Sequence, residues 1–288
     1  MKRRMLLVGG SGQLGTELQR QAQDGWDILA PGRELLDMAA PNSLAGVVAE
    51  AKPDLVVNAS AFHVVDLCEN RFADALAINA VAVSALAKAC EATRARFVTV
   101  STDYAFDGAA KVPYRETDPA NPIQCYGISK VAGERAALAA HPEGAFVIRS
   151  CGLYGLAPSR QKAGNFVLNR LADARSRDVV EIGSDLRCTP TSAADLAAAT
   201  LALLASEAPA GLYHLTNTGS CDWASFTAEI YRLAGSATRV VPVDREGRYA
   251  PARRPAYSVL DGGLAAGFGV RLRPWQEALS EYLLTASR

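Results

Sequence analysis

The chain opens on an apolar run, RMLLV, that leads directly into glycines spaced three residues apart at Gly9, Gly12 and Gly15. The next residues, QLGTELQRQA, have the apolar spacing of an amphipathic helix. A strand-to-helix turn without side chains lets a pyrophosphate approach the backbone, where the helix N-terminus offers free N–H groups. A lone glycine motif also fits a plain turn, but this context predicts a dinucleotide-binding turn that includes Gln13 and Leu14.

Short apolar segments continue to alternate with helical segments along the first 150 residues. The strand candidates are DLVVNAS, RFVTVST and AFVIRS, and the helix candidates between them are ADALAINAVAVSALAKACEA and YGISKVAGERAALAA. This alternation predicts an α/β fold with a Rossmann-type, doubly wound parallel sheet. We expect the core in residues 1–150, continued by about 178–215, and a smaller C-terminal substrate-binding lobe in 151–177 and 216–288.

The second half of the chain has a looser pattern. It predicts a helix near 165–177, a strand at VVEIG, an alanine-rich helix at 192–205 and a last helix from about Trp275. The segment 238–273 is rich in Pro, Gly and Arg and is expected to be mostly irregular.

Charge and cysteine usage exclude several classes of partner. Thirty Lys+Arg balance thirty Asp+Glu, so we expect no nucleic acid and no membrane surface as partner.

The basic start resembles a signal peptide, but its apolar stretch is only four residues long. No run approaches transmembrane length by sequence. The six scattered cysteines, without a C-x-x-C pair, predict reduced thiols in a cytoplasmic protein and no metal site.

Catalytic residue types follow two of the predicted strands. The segment STDYAFDG places Thr102 at the end of a strand, and CYGISKVAGE places Tyr126 and Lys130 one helical turn apart. The tyrosine–lysine spacing alone is weak evidence. With a threonine at the sheet edge it predicts a ketone reduction, in which Tyr126 transfers a proton, Lys130 keeps the phenol acidic and Thr102 holds the carbonyl oxygen.

The cofactor is expected to be a nicotinamide dinucleotide. Arg33 follows the second strand, and a guanidinium suits the 2′-phosphate of NADPH, although a solvated loop cation is an equal alternative. Asp37 and Met38 are placed to hold the adenine. NADPH is therefore favoured and NADH is an alternative. Small residues after the third strand leave room for the ribose: Ala59, Ser60 and Ala61.

Ordered motifs along the whole chain resemble the dTDP-4-dehydrorhamnose reductase family of extended short-chain dehydrogenases/reductases. They are GGSGQLG, LVVNASAFHVVDLCE, INAVAVSALAKAC, STDYAFDG, PYRETDPANPIQCYGISKVAGE, GNFV, TPTSAADLA, GLYHLTN and RRPAYSVLD. The resemblance implies NAD(P)H-dependent reduction of the 4-keto group of a nucleotide-linked, dTDP-type 6-deoxysugar. It is compatible with a homodimer. It implies these substrate-binding residues: His63, Val65, Thr102, Asp103, Phe106, Tyr126, Gly152, Asn165 and Arg254.

The sugar-facing positions depart from the family pattern. His63 stands where the family commonly has threonine, and Cys151-Gly152 replaces the family's Ser-Trp, so a tryptophan beside the sugar is missing. His63 either fills the space left by the missing ring or contacts the sugar. A void at Gly152 predicts a 4-keto-6-deoxyhexose other than the rhamnose precursor as substrate.

Two other functions fit parts of the pattern. An epimerase or dehydratase of the same superfamily shares the cofactor turn, but a dehydratase is expected to carry a second acid after Asp103, where this chain has Tyr104. A non-catalytic, NADP-binding regulatory subunit also shares the turn, but the complete set of Thr102, Tyr126 and Lys130 favours an enzyme.

Overall fold

The computed structural model describes residues 2–157, 164–245 and 251–286. Within these ranges the β-strands are β1 (Arg3–Val8), β2 (Trp26–Leu29), β3 (Leu55–Asn58), β4 (Arg96–Thr102), β5 (Ala145–Ser150), β6 (Leu153–Tyr154), β7 (Val179–Gly183), β8 (Arg187–Cys188), β9 (Thr191–Ser192), β10 (Gly211–His214), β11 (Cys221–Asp222) and β12 (Arg239–Val243). The α-helices are α1 (Gln13–Ala22), α2 (Leu44–Ala51), α3 (Val65–Asn70), α4 (Phe72–Leu76), α5 (Ala82–Thr93), α6 (Cys125–Ala140), α7 (Phe166–Ala174), α8 (Ala193–Ala205), α9 (Trp223–Leu233), α10 (Gly263–Gly267) and α11 (Trp275–Ala286).

Six strands form one sheet in the order β10-β5-β4-β3-β1-β2, and every neighbouring pair is parallel. The predicted doubly wound parallel sheet is confirmed. All four residues of β3 are buried, as expected for a strand that is covered on both faces. The chain passes from β1 to β2 on one side and returns to β3 on the other. A crevice therefore opens between the carboxyl ends of β1 and β3.

Helices cover both faces of the sheet. Leu14 and Leu18 of α1, one turn apart, pack with Leu196 of α8 on one face. Val48 of α2 and Leu86 of α5 pack on the other face, together with α6. Each fully buried leucine contributes roughly 1.5–3 kcal/mol relative to an exposed one, so these apolar stripes fix the helices against the sheet.

One long helical segment runs from Phe72 to Thr93, with a π-helical turn at Ala77–Val81 between α4 and α5. Its 22 residues and mean hydropathy of 1.4 would suffice for a membrane span by length and composition. The sequence prediction that no run approaches that length was therefore wrong. In the structure this segment is a core helix, because Val83 and Leu86 are buried in the cluster that packs under the sheet.

The C-terminal lobe has its own apolar core, in which α7, α9 and α11 pack around Ile182 of β7 and Phe226 of α9. Strand β7 pairs in parallel with β12. It lies inside the predicted core continuation, 178–215, but belongs to the lobe, whereas α8 and β10 of the same range belong to the core. Conversely, α10 lies in the predicted lobe and packs on the core through Ala265.

Two sequence predictions of local structure differ from the observed elements. The helix expected at 165–177 begins at Phe166 and ends at Ala174. The segment 238–273, expected to be irregular, contains β12 and α10. Strand β12 has the sequence RVVPV, and its proline is tolerated because the strand pairs on one side only, with β7.

Candidate active site

A cleft of about 490 Å³ lies at the carboxyl ends of β1, β3, β4 and β5, the edge at which open α/β sheets bind ligands. It brings together most of the predicted site residues: Gly9, Gly12, Gln13, Leu14, Ala59, Ser60, Ala61, His63, Val65, Thr102, Asp103, Tyr126, Lys130, Gly152 and Asn165. The remaining predicted residues do not line the cleft: Gly15, Arg33, Asp37, Met38, Phe106 and Arg254.

The glycine turn closes one end of the cleft. Gly9 has a φ of +82°, and a Cβ atom there would lie 3.0 Å from the backbone nitrogen of Ser60, so only glycine fits between β1 and β3. A Cβ atom on Gly15 would lie 2.3 Å from the carbonyl oxygen of Gly9. Gly15 therefore lets α1 pack closely against the turn. The helix N-terminus, at Gly12, faces the cleft.

The side-chain nitrogen of Gln13 is buried at this end of the cleft and finds no hydrogen-bond partner within the described ranges. An unpaired buried donor costs about 1–3 kcal/mol, so this amide is an open donor for a ligand oxygen. The positive end of the α1 dipole lies beside it. The turn, the helix end and Gln13 together fit the pyrophosphate of a dinucleotide.

The residues predicted to select the cofactor lie on the loop after β2. Arg33 is mostly exposed, and its Nε donates to Asp37 Oδ1 at 3.1 Å. The backbone N–H of Ala39 is the main cause that lowers the pKa of Asp37; burial opposes it, and the hydrogen bond and charge of Arg33 add to the lowering. Met38 is buried in the core under the sheet, so it supports this loop from below.

Arg33→Ala is expected to weaken NADPH binding about tenfold or more and to leave NADH binding within about twofold. A guanidinium–phosphate contact exists only with the 2′-phosphorylated cofactor. Fluorescence titration of both reduced cofactors measures this selectivity. Equal weakening of both, or of neither, would assign Arg33 to the solvated surface. Arg94→Ala, which removes an exposed cation at the end of α5, is the matched control.

The three predicted catalytic residues meet at the middle of the cleft. Thr102 ends β4, while Tyr126 and Lys130 lie one turn apart on α6. Burial is the main cause that raises the pKa of Tyr126 above its ordinary value; the charge of Asp103 adds to the effect, and a hydrogen bond with Thr102 opposes it. The Tyr126 phenol is therefore neutral at physiological pH, and a neutral phenol is the form that donates a proton.

Lys130 is buried and its Nζ donates to the carbonyl oxygen of Val100 at 2.6 Å. Burial lowers its pKa to about 8, against the opposing charge of Glu134. Burial is thus the main influence on the phenol of Tyr126, and the role of Lys130 in keeping that phenol acidic stays a prediction. Two further N–H donors of the ammonium remain for a ligand hydroxyl.

Behind Lys130 lies a buried ion pair. Glu134, one turn further along α6, accepts from Arg149 of β5 at 2.8 and 2.6 Å, and both side chains are almost fully buried. The hydroxyl of Ser101 also donates to Glu134. This carboxylate therefore ties α6 to β4 and β5 and supplies the negative charge that keeps Lys130 protonated.

Hydrogen bonds hold the carboxylate of Asp103 beside Thr102. It accepts from Thr102 Oγ1 at 3.1 Å and from Ser258 Oγ at 2.5 Å, and the thiol of Cys151 also contacts it. Burial raises its pKa, against the effect of these hydrogen bonds. Ser258 comes from the C-terminal part of the chain, so this network joins the lobe to the end of β4.

A side chain at position 152 would meet close neighbours. Gly152 has a φ of +55°, and a Cβ atom on it would lie 3.2 Å from Pro190 Cα and 3.3 Å from Trp223 Cη2. The indole of Trp223, at the start of α9, thus stands beside the position at which the sequence lacks a tryptophan. Gly152 itself lines the cleft, so the space that the glycine leaves is shared between the cleft and a ring from the lobe.

Three residues predicted to bind substrate have other contacts. Phe106 is fully buried and stacks on Tyr114, with ring centroids 4.0 Å apart. Asn165 caps α7 and donates to the carbonyl oxygen of Gly155 at 2.7 Å, so its side chain holds the lobe together at the cleft wall. Arg254 pairs with Asp66 of α3 at 2.9 Å, next to the cleft-lining Val65.

Sequence comparison places this arrangement among known proteins. The family model described as RmlD substrate binding domain matches residues 3–287. A dTDP-4-dehydrorhamnose reductase of Streptomyces griseus is 39% identical, and the match covers 96% of this chain and 92% of the relative. The chain belongs to the dTDP-4-dehydrorhamnose reductase family.

Two further comparisons are informative, one with a sequence relative and one with a crystal structure. A probable dTDP-4,6-dihydroxy-2-methyloxan-3-one 4-ketoreductase of Streptomyces antibioticus is 36% identical over 96% of this chain and 94% of the relative. The crystal structure of a dTDP-4-dehydrorhamnose reductase from Bacillus anthracis in complex with NADP superimposes with a TM-score of 0.92, at 32% identity, over 99% of this chain and all of that one.

The cleft residues in this member of the family that were not predicted from sequence include Trp223 and Ser258. Ser258 lies within RRPAYSVLD, which the family resemblance includes, so that motif was a usable signal for it. Trp223 follows the helix-capping Asp222 and has no comparable local signal, because only the packing of the lobe brings its ring to the cleft.

Proposed function

We propose that this protein reduces the 4-keto group of a dTDP-linked 4-keto-6-deoxysugar, either dTDP-4-dehydrorhamnose or a related deoxysugar, with NADPH as hydride donor and NADH as an alternative. The observation that carries the proposal is the grouping of Thr102, Tyr126 and Lys130 in the cleft that begins at the glycine turn. Membership of a family of named reductases supports it.

Each side chain has a distinct role in this proposal. Tyr126 donates its phenolic proton to the carbonyl oxygen as that oxygen gains charge. Thr102, oriented by Asp103, gives the same oxygen a second hydrogen bond. Lys130 keeps its positive charge near the reacting centre and offers N–H donors to the cofactor ribose. NADPH, when bound, supplies the hydride.

The relatives include both a dTDP-4-dehydrorhamnose reductase and a probable 4-ketoreductase for another dTDP sugar. The substrate within this class is therefore to be identified by comparing the rates of reduction of several dTDP-linked sugars. Trp223 supplies an aromatic ring beside Gly152, so the glycine alone does not decide between the rhamnose precursor and another sugar. We propose to measure NADPH oxidation with a panel of dTDP-linked 4-keto-6-deoxysugars. Oxidation with at least one member supports the proposal, and its kcat/KM names the substrate.

Two outcomes of that panel would contradict a reductase. Interconversion of sugar epimers without net NADPH oxidation, by protein purified with stoichiometric NAD, would indicate an epimerase. Binding of NADPH without turnover of any member of the panel would indicate a regulatory subunit.

The value of kcat/KM is expected to fall above about pH 8, because the pKa of Lys130 lies at about 8. Lys130 is cationic below that pH and becomes neutral above it, so the active fraction falls about tenfold per pH unit at higher pH. A pH profile of kcat/KM measures this decrease. In Lys130→Arg the guanidinium stays charged, so the activity of this variant should be weaker but should not decrease above pH 8. A wild-type profile flat to pH 9.5 would contradict the role of Lys130.

The proposal also covers the cellular compartment and the oligomeric state of the protein. None of the six cysteines, all of which lie in the described ranges, forms a disulfide, in keeping with a reducing cytoplasm. A homodimer stays a prediction, which the mass of the protein in solution tests directly.

A further inference from the structure

Trp223 is held rigidly at the wall of the cleft. It follows β11, whose Cys221 lies opposite Cys188 of β8, and it begins α9, whose first turn is capped by Asp222. The indole packs on Phe166, with ring centroids 4.5 Å apart. It remains partly exposed and lines the cleft. A rigid aromatic face that is open to a cavity is a preorganised contact surface.

A short chain of contacts connects this ring to the catalytic centre. Tyr126 is hydrogen-bonded to Thr102, and Thr102 donates to Asp103. Asp103 contacts the thiol of Cys151, which precedes Gly152, and Gly152 lies against Trp223. The indole therefore stands on the side of the cleft where the reacting carbonyl must be placed. The glycine turn, which fits the cofactor pyrophosphate, also lies in this cleft.

Most side chains at this part of the cleft are apolar. Leu186, Cys188 and Phe166 line it together with Trp223, whereas the polar Asn165 and Ser258, which also line it, are held by Gly155 and Asp103. A hexose with a 6-hydroxyl group would leave that hydroxyl without a partner against such a wall, whereas a 6-methyl group is buried there favourably. The wall thus has the chemistry to distinguish a 6-deoxyhexose from a hexose.

We propose that Trp223 is a specificity-determining residue that packs against the apolar face and the 6-methyl group of the substrate's sugar. This assignment rests on the proposed function. In this assignment the aromatic ring beside the sugar belongs to Trp223 of the lobe and not to the residue that follows Cys151. It also accounts for the glycine at position 152, since a Cβ atom there would press on the indole.

Calorimetric binding of three ligands tests the assignment: dTDP, dTDP-6-deoxyglucose and dTDP-glucose. The two sugar nucleotides differ only at the 6-hydroxyl group. Wild-type protein is expected to prefer the 6-deoxy ligand. Trp223→Leu should weaken that ligand about tenfold, in line with the loss of one aromatic stacking contact, and should reduce the preference, while the affinity for dTDP stays within about twofold.

Two control variants separate contact from folding. Trp223→Phe keeps an aromatic ring and should retain most of the preference. Trp26→Leu removes a tryptophan on β2, where Arg3 covers the ring, and should change none of the three affinities. Equal weakening of dTDP and both sugar nucleotides, or no weakening at all, would overturn the role of Trp223. Wild-type protein that binds none of the three ligands would overturn the proposed function together with it.

Discussion

Tyr126→Phe is expected to lower kcat by about two to four orders of magnitude, the range for loss of a general acid. The phenolic hydroxyl is the only group removed, and the ring that packs near Tyr104 is kept, with ring centroids 6.2 Å apart. NADPH affinity should therefore stay within about twofold. Steady-state kinetics with the best dTDP sugar, together with fluorescence titration of NADPH, measure the two effects separately.

Tyr104→Phe is the matched control for this variant. Tyr104 is a second, half-buried phenol that lines the same cleft, and desolvation raises its pKa well above the ordinary value. Its backbone N–H donates to Thr102 Oγ1 at 3.1 Å, a contact that the substitution leaves in place. Tyr104→Phe should keep most of the activity. A Tyr126→Phe enzyme with activity near the wild type would assign the proton donor to another group.

Glu134→Gln is expected to destabilise the fold by about 3–5 kcal/mol, the cost of leaving one partner of a buried ion pair without its counter-charge. The guanidinium of Arg149 is almost fully buried and would lose its only described carboxylate partner. The loss should appear as a lower midpoint of urea unfolding. Because the charge of Glu134 raises the pKa of Lys130, the alkaline limb of kcat/KM should also move to lower pH.

Glu229→Gln provides the comparison for burial. Glu229 also accepts two hydrogen bonds from an arginine, Arg232, both at 2.7 Å, but that arginine is mostly exposed. Surface ion pairs contribute about 0–1 kcal/mol, so this variant should unfold near the wild-type midpoint. The same small effect for Glu134→Gln would show that the buried pair contributes little to stability.

The sheet and the cofactor end of the cleft could be predicted because their signals are local. The segments RFVTVST and AFVIRS correspond residue for residue to β4 and β5, since continuous apolar runs specify buried parallel strands. Gly9 is required by its φ of +82°, and Gly15 by its close approach to the carbonyl oxygen of Gly9, both within a single strand–turn–helix unit. Such requirements can be read from spacing alone.

The end of the cleft where we propose that the sugar binds could not be predicted in the same way, because distant segments form it. Ser258 reaches Asp103 from 155 positions along the chain, and Trp223 reaches Gly152 only because the lobe packs on the core. Phe106 lies in a family motif, yet its ring turns away from the cleft onto Tyr114. The sequence placed Phe106 near the edge of the sheet but did not give the direction of its side chain.

In the proposed reaction, NADPH bound in this cleft transfers a hydride to C4 of a dTDP-linked 4-keto sugar. The transfer can be followed by incubating the protein with NADPH deuterated at the transferable C4 position of its nicotinamide ring, together with the dTDP sugar that the panel selects. We expect one deuterium at C4 of the product sugar for each NADPH oxidised, seen by NMR. A sugar product without deuterium at C4, or one labelled from solvent with the cofactor unchanged, would contradict it.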